Sequence, residues 1–324
     1  MGKGSIRSFG SSKYGMGHLF RTSAIADILA KKDIAVKFLM KSEEIKELSG
    51  FLKSKNIPFL ENDGRKFENY DFFLYDMPFP DREFIANFKK ANPLSRIVAL
   101  DFSDPEDSNV DVVVNLFDHE RMLKGRENNS RTEFLCGLSY AIIREQFPYL
   151  RNPRKTIRDE IKNILISFGG SDPCGWTCKL IQDQKIFRGL NVKAVMGPNF
   201  AHREELVRIS RSLPENMKVT GPVTDIEKHM ADSDLMICGG RTTVLESMFL
   251  GVPAIVVPQT EDERIFGGWL QNNDACLLAN FAENNLEEKL MKLRNCETRR
   301  KISENGMRLV DGKGTERIAA ILLR

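Results

Sequence analysis

Apolar and polar positions along this chain fall into two alternating kinds of block. Runs such as SIRSF, IAVKFLM, NYDFFLYDM, SRIVALDF and VDVVVNL have the length and residue types of strands. Between the first of them, apolar residues recur at helical spacing. Residues 18–31 place Leu19, Ala24, Ile25, Ile28 and Leu29 on one side, and SEEIKELSGFLKS reads as a second helix with Ser42 as a candidate N-cap. VDVVVNL is apolar without a break at its centre, which predicts burial on both faces. A strand–helix–strand rhythm of this kind predicts a parallel sheet covered by helices.

The rhythm breaks over residues 145–160, EQFPYLRNPRKTIRDE, and then restarts. KNILISFGG, NVKAVMG, NMKVTGPV, DLMICGG, VPAIVVP and ACLLAN read as strands, with helices over 173–187, 201–212, 241–250 and across 284–324, broken near Gly312 and Gly314. A chain of 324 residues is long for one core. Two α/β domains are therefore expected, at 1–150 and 151–324, and the last helix can pack back on the first. Ligands of open parallel sheets bind beyond the carboxyl ends of the strands. Three glycine-bearing loops fall there, at 10–17, 169–173 and 239–243, and two domains with such loops facing each other would enclose a cleft.

Composition narrows the function without assigning it. The formal net charge of +3 is small, so no nucleic-acid partner is expected. No apolar run approaches a membrane span, and the first residues lack the apolar core of a signal peptide. A cytoplasmic monomer is expected. Of six cysteines only Cys174 and Cys178 are close, and no His or Cys follows at zinc-site spacing, so no metal is expected.

The chemistry concentrates in the loops. In ICGGRTTVLESMFLGVP, Gly239 and Gly240 end a strand and Arg241, Thr242 and Thr243 open a helix. Free N–H groups, the helix dipole and two hydroxyls suit a diphosphate. Glu246, one turn on, can accept hydrogen bonds from the hydroxyls of a ribose; the same residues would also serve as a simple cap and a solvated acid. In SFGGSDP, Gly169 and Gly170 close a strand, and Ser171 or Asp172 can cap a helix whose first turn contains Pro173. In GMGHLFR, Gly15 and Gly17 fit a dinucleotide fingerprint, but Phe20 stands where its third glycine belongs. His18 instead opens the helix, where a neutral imidazole can act as a base. Arg21 can meet a phosphate or fix an acid. Asp76 and Asp101 end strands and can hold substrate hydroxyls or orient a base.

Taken in order, G-x-G-H-x-x-R, then Gly-Gly-Ser-Asp-Pro, then Gly-Gly-x-Thr-x-x-Glu with Gly-Val-Pro resembles the UDP-2,4-diacetamido-2,4,6-trideoxy-β-L-altropyranose hydrolases of pseudaminic acid biosynthesis. More distantly it is similar to the peptidoglycan N-acetylglucosaminyltransferase. The resemblance runs through most of the chain and implies the GT-B architecture, two Rossmann-like domains with parallel sheets across a cleft. It implies a UDP-sugar as ligand and no cofactor. It makes His18 the base that activates water at the anomeric carbon, and matches Asp76, a second catalytic candidate, to the acid of the family's Asp-x-Tyr. Gly169, Gly170, Ser171, Gly240, Arg241, Thr242 and Thr243 would hold the diphosphate side and Glu246 the ribose. The implied activity is release of UDP and a free sugar; a glycosyltransferase, or a protein that only binds a nucleotide sugar, are the alternatives. Three positions depart from the hydrolase pattern: Phe9 replaces an acid, Asp76-Met77-Pro78 lacks a tyrosine, and Glu261-Asp262-Glu263 replaces Glu-Asn-Gln, which leaves Asp262 as a candidate contact to the substrate.

Overall fold

The apolar runs become strands of two sheets in which every pairing among the described residues is parallel. The computed structural model describes residues 2–10, 16–54, 56–101, 107–117 and 131–324. They divide into two compact units. One comprises Met16–Arg144 with the amino-terminal strand and Gly312–Arg324; the other is Glu145–Asp311.

In the first unit the order is β1 (Lys3–Ser8), α1 (Gly17–Ala30), β2 (Ala35–Met40), α2 (Ser42–Ser54), β3 (Phe59–Glu61), β4 (Phe72–Asp76), α3 (Arg82–Ala91), β5 (Arg96–Leu100), β6 (Val112–Asn115) and β7 (Glu133–Cys136). The strands lie in the order β3-β2-β1-β4-β5-β6-β7. Alternation along β4 sorts its side chains between two cores. Phe72 and Leu74 join Leu19 and Ile25 of α1, whereas Phe73 and Tyr75 join Phe84 and Phe88 of α3. Phe73 stacks on Phe88 with ring centroids 4.3 Å apart. The next residue, Asp76, therefore falls on the α1 side.

The second unit runs β8 (Asn163–Ser167), α4 (Trp176–Gln182), β9 (Asn191–Val195), α5 (Arg203–Ser210), β10 (Met217–Thr220), α6 (Ile226–Ala231), β11 (Leu235–Cys238), α7 (Thr242–Phe249), β12 (Ala254–Val256), α8 (Glu261–Asn272), β13 (Leu277–Leu278), α9 (Leu286–Leu293) and α10 (Cys296–Leu309). Its sheet order is β10-β9-β8-β11-β12-β13. Gly312, with φ of +81°, turns the chain out of α10. The last helix, α11 (Gly314–Leu322), then joins the first unit, where Ile318 and Ile321 pack in the same core as α1.

Both sheets reverse strand order once among the described strands. The reversal lies between β1 and β4 in the first unit and between β8 and β11 in the second. Neighbouring connections leave in opposite directions at such a point, which opens a crevice at the carboxyl edge. Ser8 pairs with Asp76 at one crevice and Ser167 with Cys238 at the other. Two local expectations are corrected. Ser42 is the first helical residue rather than an N-cap, and its hydroxyl donates to Glu61 across 2.7 Å. The helix expected at 173–187 starts only at Trp176, because Gly175 adopts a left-handed φ of +66°, so Pro173 precedes it.

Gly314 sits against the backbone of a 3-10 turn at Leu138–Tyr140. A Cβ there would lie 2.2 Å from the Ala141 carbonyl oxygen. Gly314→Ala should therefore destabilise the chain by about 1–3 kcal/mol, read as a lowered urea midpoint. Gly268→Ala is the matched control, since nothing lies within 4 Å of its added methyl. Its midpoint should stay level or rise.

Candidate active site

The carboxyl ends of β1 and β4 and the first turn of α1 converge in the first unit. His18 is the second residue of α1, and Arg21 follows one turn later on the same face. Asp76 is 0% exposed, and its oxygens are shared between them. His18 Nδ1 lies 2.7 Å from Asp76 Oδ1. Arg21 donates from Nε to Asp76 Oδ2 at 2.7 Å and from Nη2 to Asp76 Oδ1 at 2.5 Å. Its third contact runs from Nη1 to Asp101 Oδ2 at 2.5 Å. Burial alone would push the Asp76 carboxyl up, but the charges and hydrogen bonds of Arg21 and His18 outweigh it and hold the carboxyl well below the usual range. Burial would likewise ease the proton off Arg21; the two carboxylates reverse that and lock the guanidinium in its charged form.

The ionised Asp76 can only accept, so the proton in its bond to His18 sits on Nδ1. In the neutral ring the other nitrogen, Nε2, then carries a lone pair and can accept a proton. Phe9 meets the imidazole edge-on, with centroids 6.4 Å apart. A cavity of about 560 Å³ is also lined by Phe9, together with Met77, Phe79, Lys41 and Asp81. The loop after β4 is pinned by Tyr75, whose hydroxyl donates to the Phe79 carbonyl and accepts from the Asp81 N–H. Of the residues singled out here, His18, Arg21, Asp76 and Asp101 form one network. Gly17 opens α1 beside it, and Gly15 lies outside the described residues.

In the second unit the loops after β8, β9, β11 and β12 come together. Gly169 has φ of +75°, and a Cβ on it would lie 3.9 Å from Thr243 Oγ1. The loop after β9 bonds back through Asn199 N–H to the Gly170 carbonyl and Ala201 N–H to the Ser171 carbonyl, both at 2.9 Å. The approach is so close that a Cβ on Gly197 would lie 2.2 Å from the Gly169 oxygen. Gly169, Gly170, Ser171, Gly239, Gly240, Arg241, Thr242 and Thr243 thus share one edge of one sheet. No side chain caps α7; Thr242 is its first residue rather than its cap. Capping of α4 falls to Asp172, whose carboxylate accepts from the N–H groups of Trp176 and Thr177. Glu246 is on α7 and 1% exposed. Asp262 is exposed on the first turn of α8.

Glu263 figures in the sequence reading only as a departure from the hydrolase pattern, with Asp262 as the expected contact, whereas it is Glu263 that turns inward. Its Oε2 accepts from the Gly240 N–H at 3.1 Å and from the Gln259 N–H at 2.8 Å. The Gly240 amide, expected to face a diphosphate, is thereby occupied. Burial raises the Glu263 carboxyl, while those two N–H groups and the charge of Arg241 oppose the rise. A signal was present: Glu263 lies three, four and seven residues before Phe266, Gly267 and Leu270, the buried face of α8.

Removing the Asp76 charge leaves Arg21 with one of its two acids. Asp76→Asn should cost about 3 kcal/mol at neutral pH, measured by urea unfolding. Because the folded Asp76 is held low, this stabilisation is complete above the unfolded carboxyl's pKa, near 4, and is lost as pH falls toward the folded one. The gap between wild type and variant should therefore narrow steadily below about pH 4.

Comparison with known proteins bears on both units. Residues 164–313 match the glycosyltransferase family 28 C-terminal domain. Among curated proteins, the chain is 30% identical to the uncharacterized protein MJ1062 of Methanocaldococcus jannaschii over 277 residues, 80% of this chain. It spans 56% of that protein's length. It is 24% identical to the spore coat polysaccharide biosynthesis protein SpsG of Bacillus subtilis, across 97% of this chain and 95% of that protein. Among solved structures, MurG of Acinetobacter baumannii superposes with a TM-score of 0.69 at 15% identity, over 100% of this chain and 99% of its own. A putative UDP-N-acetylglucosamine 2-epimerase from Listeria monocytogenes gives 0.63 at 17%, over 99% of this chain and 96% of its own. No helix among the described residues is long and apolar enough to cross a membrane. Two parallel-sheet α/β domains with these structural neighbours make the fold GT-B.

Proposed function

We propose that this chain is a glycosyltransferase that takes its sugar from a UDP-sugar, with His18 as the general base. An acceptor hydroxyl loses its proton to His18 Nε2 as its oxygen bonds the anomeric carbon. The bond from that carbon to the diphosphate breaks, and its electron pair leaves with UDP. The observation that carries this reading is the Nδ1–H bond from His18 to Asp76, which leaves Nε2 as the acceptor at the edge where β1 and β4 diverge. Asp76 then answers the charge of the imidazolium that forms. The cavity of about 560 Å³ that shares Phe9 with His18 is of a size that suits a sugar acceptor. The match over residues 164–313 and the likeness to MurG support transfer to an acceptor.

In the second unit, Gly239, Arg241, Thr242, Thr243 and the uncapped first turn of α7 would hold the diphosphate, with Gly169, Gly170 and Ser171 beside them. Glu246 would reach the ribose, and Asp262 the sugar. A second reading keeps every one of these roles and makes water the nucleophile, so that the products are UDP and the free sugar. It is favoured by the stretch GMGHLFR, in which the chain resembles the altropyranose hydrolases. Either way the substrate is a small molecule, and the residues in hand need no metal.

His18→Ala should lower turnover about 10²- to 10⁴-fold, the usual worth of a general base, while UDP affinity stays within twofold of wild type. Product analysis by mass spectrometry on a panel of UDP-sugars, with and without sugar acceptors, distinguishes transfer from hydrolysis. A collapse of UDP affinity in His18→Ala would make His18 a binding residue and sink the mechanism.

Glu263 yields a pH-dependent test. Its carboxyl is raised in the fold, so it gains charge late as pH rises and then repels a diphosphate held beside Gly239. UDP should bind wild type more tightly as pH falls and the raised Glu263 carboxyl takes up its proton, beyond the change that the nucleotide's own phosphate titration causes. Glu263→Gln should bind UDP more tightly at pH 8 and lose that extra dependence, as read by calorimetry. Equal pH slopes in the two proteins would place the diphosphate away from Glu263.

A further inference from the structure

Asp101 is not needed to make a His–Asp pair, yet it takes one of the three Arg21 contacts. We infer that Asp101 is a positioning residue for His18: by gripping the far nitrogen of Arg21 it decides which nitrogen of the imidazole carries the proton. The inference rests on the proposed role of His18 as the base.

The argument starts from crowding at one oxygen. Asp76 Oδ1 accepts from both His18 Nδ1 and Arg21 Nη2. These two donors are consequently neighbours, 3.3 Å apart. A guanidinium has donors but no acceptor. At 3.3 Å Nη2 is already within hydrogen-bond range of Nδ1, and a slide of a few tenths of an ångström toward the ring would let Nη2–H donate to it instead of to Asp76 Oδ1. Nδ1 would then have to offer a lone pair, the ring proton would move to Nε2, and the base would lose its acceptor. The pair His18–Asp76 thus has a rival arrangement a small displacement away, and the rival is inactive.

What holds the guanidinium back is its opposite edge. Nη1 donates to Asp101 Oδ2 at 2.5 Å, a charge-assisted bond. The planar guanidinium is then fixed at three nitrogens by two acids, and movement toward His18 would stretch the Asp101 contact. The backbone supports this placement. Asp101 N–H bonds the Val114 carbonyl at 2.9 Å, and its φ is +44°, in the left-handed region. Aspartate tolerates that region better than most residues, but it still carries a conformational cost. The turn at the end of β5 aims the carboxylate back along the sheet edge at Arg21. Arg21 and Asp101 are 14% and 19% exposed, so solvent offers their charges little competition.

Asp101→Asn removes the charge and Asp101→Gly removes the acceptor, and both residues accept a left-handed φ, so neither adds strain. The readout is ¹⁵N NMR of the histidine nitrogens. The chain has four histidines, and the His18 signals are assigned by their loss in His18→Ala. Wild type should show His18 with Nδ1 protonated, and both Asp101 variants should move it toward the Nε2-protonated form. In turnover of the UDP-sugar that wild type accepts, kcat should fall roughly 10- to 100-fold with KM within twofold, as expected for a misplaced base. The tautomer readout needs no substrate. An unchanged Nδ1-protonated ring in both folded Asp101 variants overturns the inference, whatever the rate does. A shifted tautomer with no loss of rate supports the link from Asp101 to His18 and overturns instead the assignment of His18 as the base.

Discussion

A carboxylate with no exposure to water must find its compensation inside the protein, and Asp76 sets that requirement for the whole edge of the first sheet. Left alone, burial would keep it neutral, and a neutral carboxyl would not hold an imidazole in one tautomer. Arg21 supplies the answering charge from the same helix turn that carries His18. Asp76 takes the donors of Nε and Nη2, and Asp101 accepts from the remaining Nη1. Each charge in the network is thus a consequence of the one before it, and the chain of consequences begins with a strand ending on an acid that faces α1.

The second unit solves a similar problem by different means. Glu263 is also buried, but its partners are backbone N–H groups of Gly240 and Gln259 rather than a full cation. Dipoles offset desolvation less completely than an ion pair does, so the Glu263 carboxyl is raised where the Asp76 carboxyl is lowered. The contrast matters for what each edge can do. A fixed anion beside a histidine assists proton transfer, while an acid that titrates beside a glycine turn changes how that turn receives a negatively charged group.

The fold was legible because both sheets are parallel. Buried parallel strands read as apolar runs, and VVVN, NILIS and LMIC stand out without any tertiary knowledge. The short β3 and the half-exposed β7 carry no such run. The helix α3 did carry a signal, with Phe84, Ile85 and Phe88 on one face, but it lies just after two prolines. At the sites, the glycines and His18 were visible as residue types at strand ends. The network itself was not. Nothing in the spacing between Arg21 and Asp101 says that they meet, since the contact depends on β4 and β5 being adjacent and on a left-handed residue at the end of β5.

The three departures from the hydrolase pattern look different once side chains have places. Phe9, where an acid is expected, lies edge-on to the His18 ring, so the position contributes packing around the base instead of another charge. The tyrosine missing from Asp76-Met77-Pro78 is not replaced by Tyr75, which stands one residue before Asp76 on the α3 side of the sheet and spends its hydroxyl on the loop. The run Glu261-Asp262-Glu263 is divided by helix geometry. Glu261 is exposed and pairs with Arg264, Asp262 is exposed, and Glu263 alone turns inward to the glycines. The replacement of two amides by acids in the sequence therefore amounts to one buried acid at the turn. That is a charge a nucleotide could meet by helping to protonate it, and an amide at the same position would not respond to pH at all.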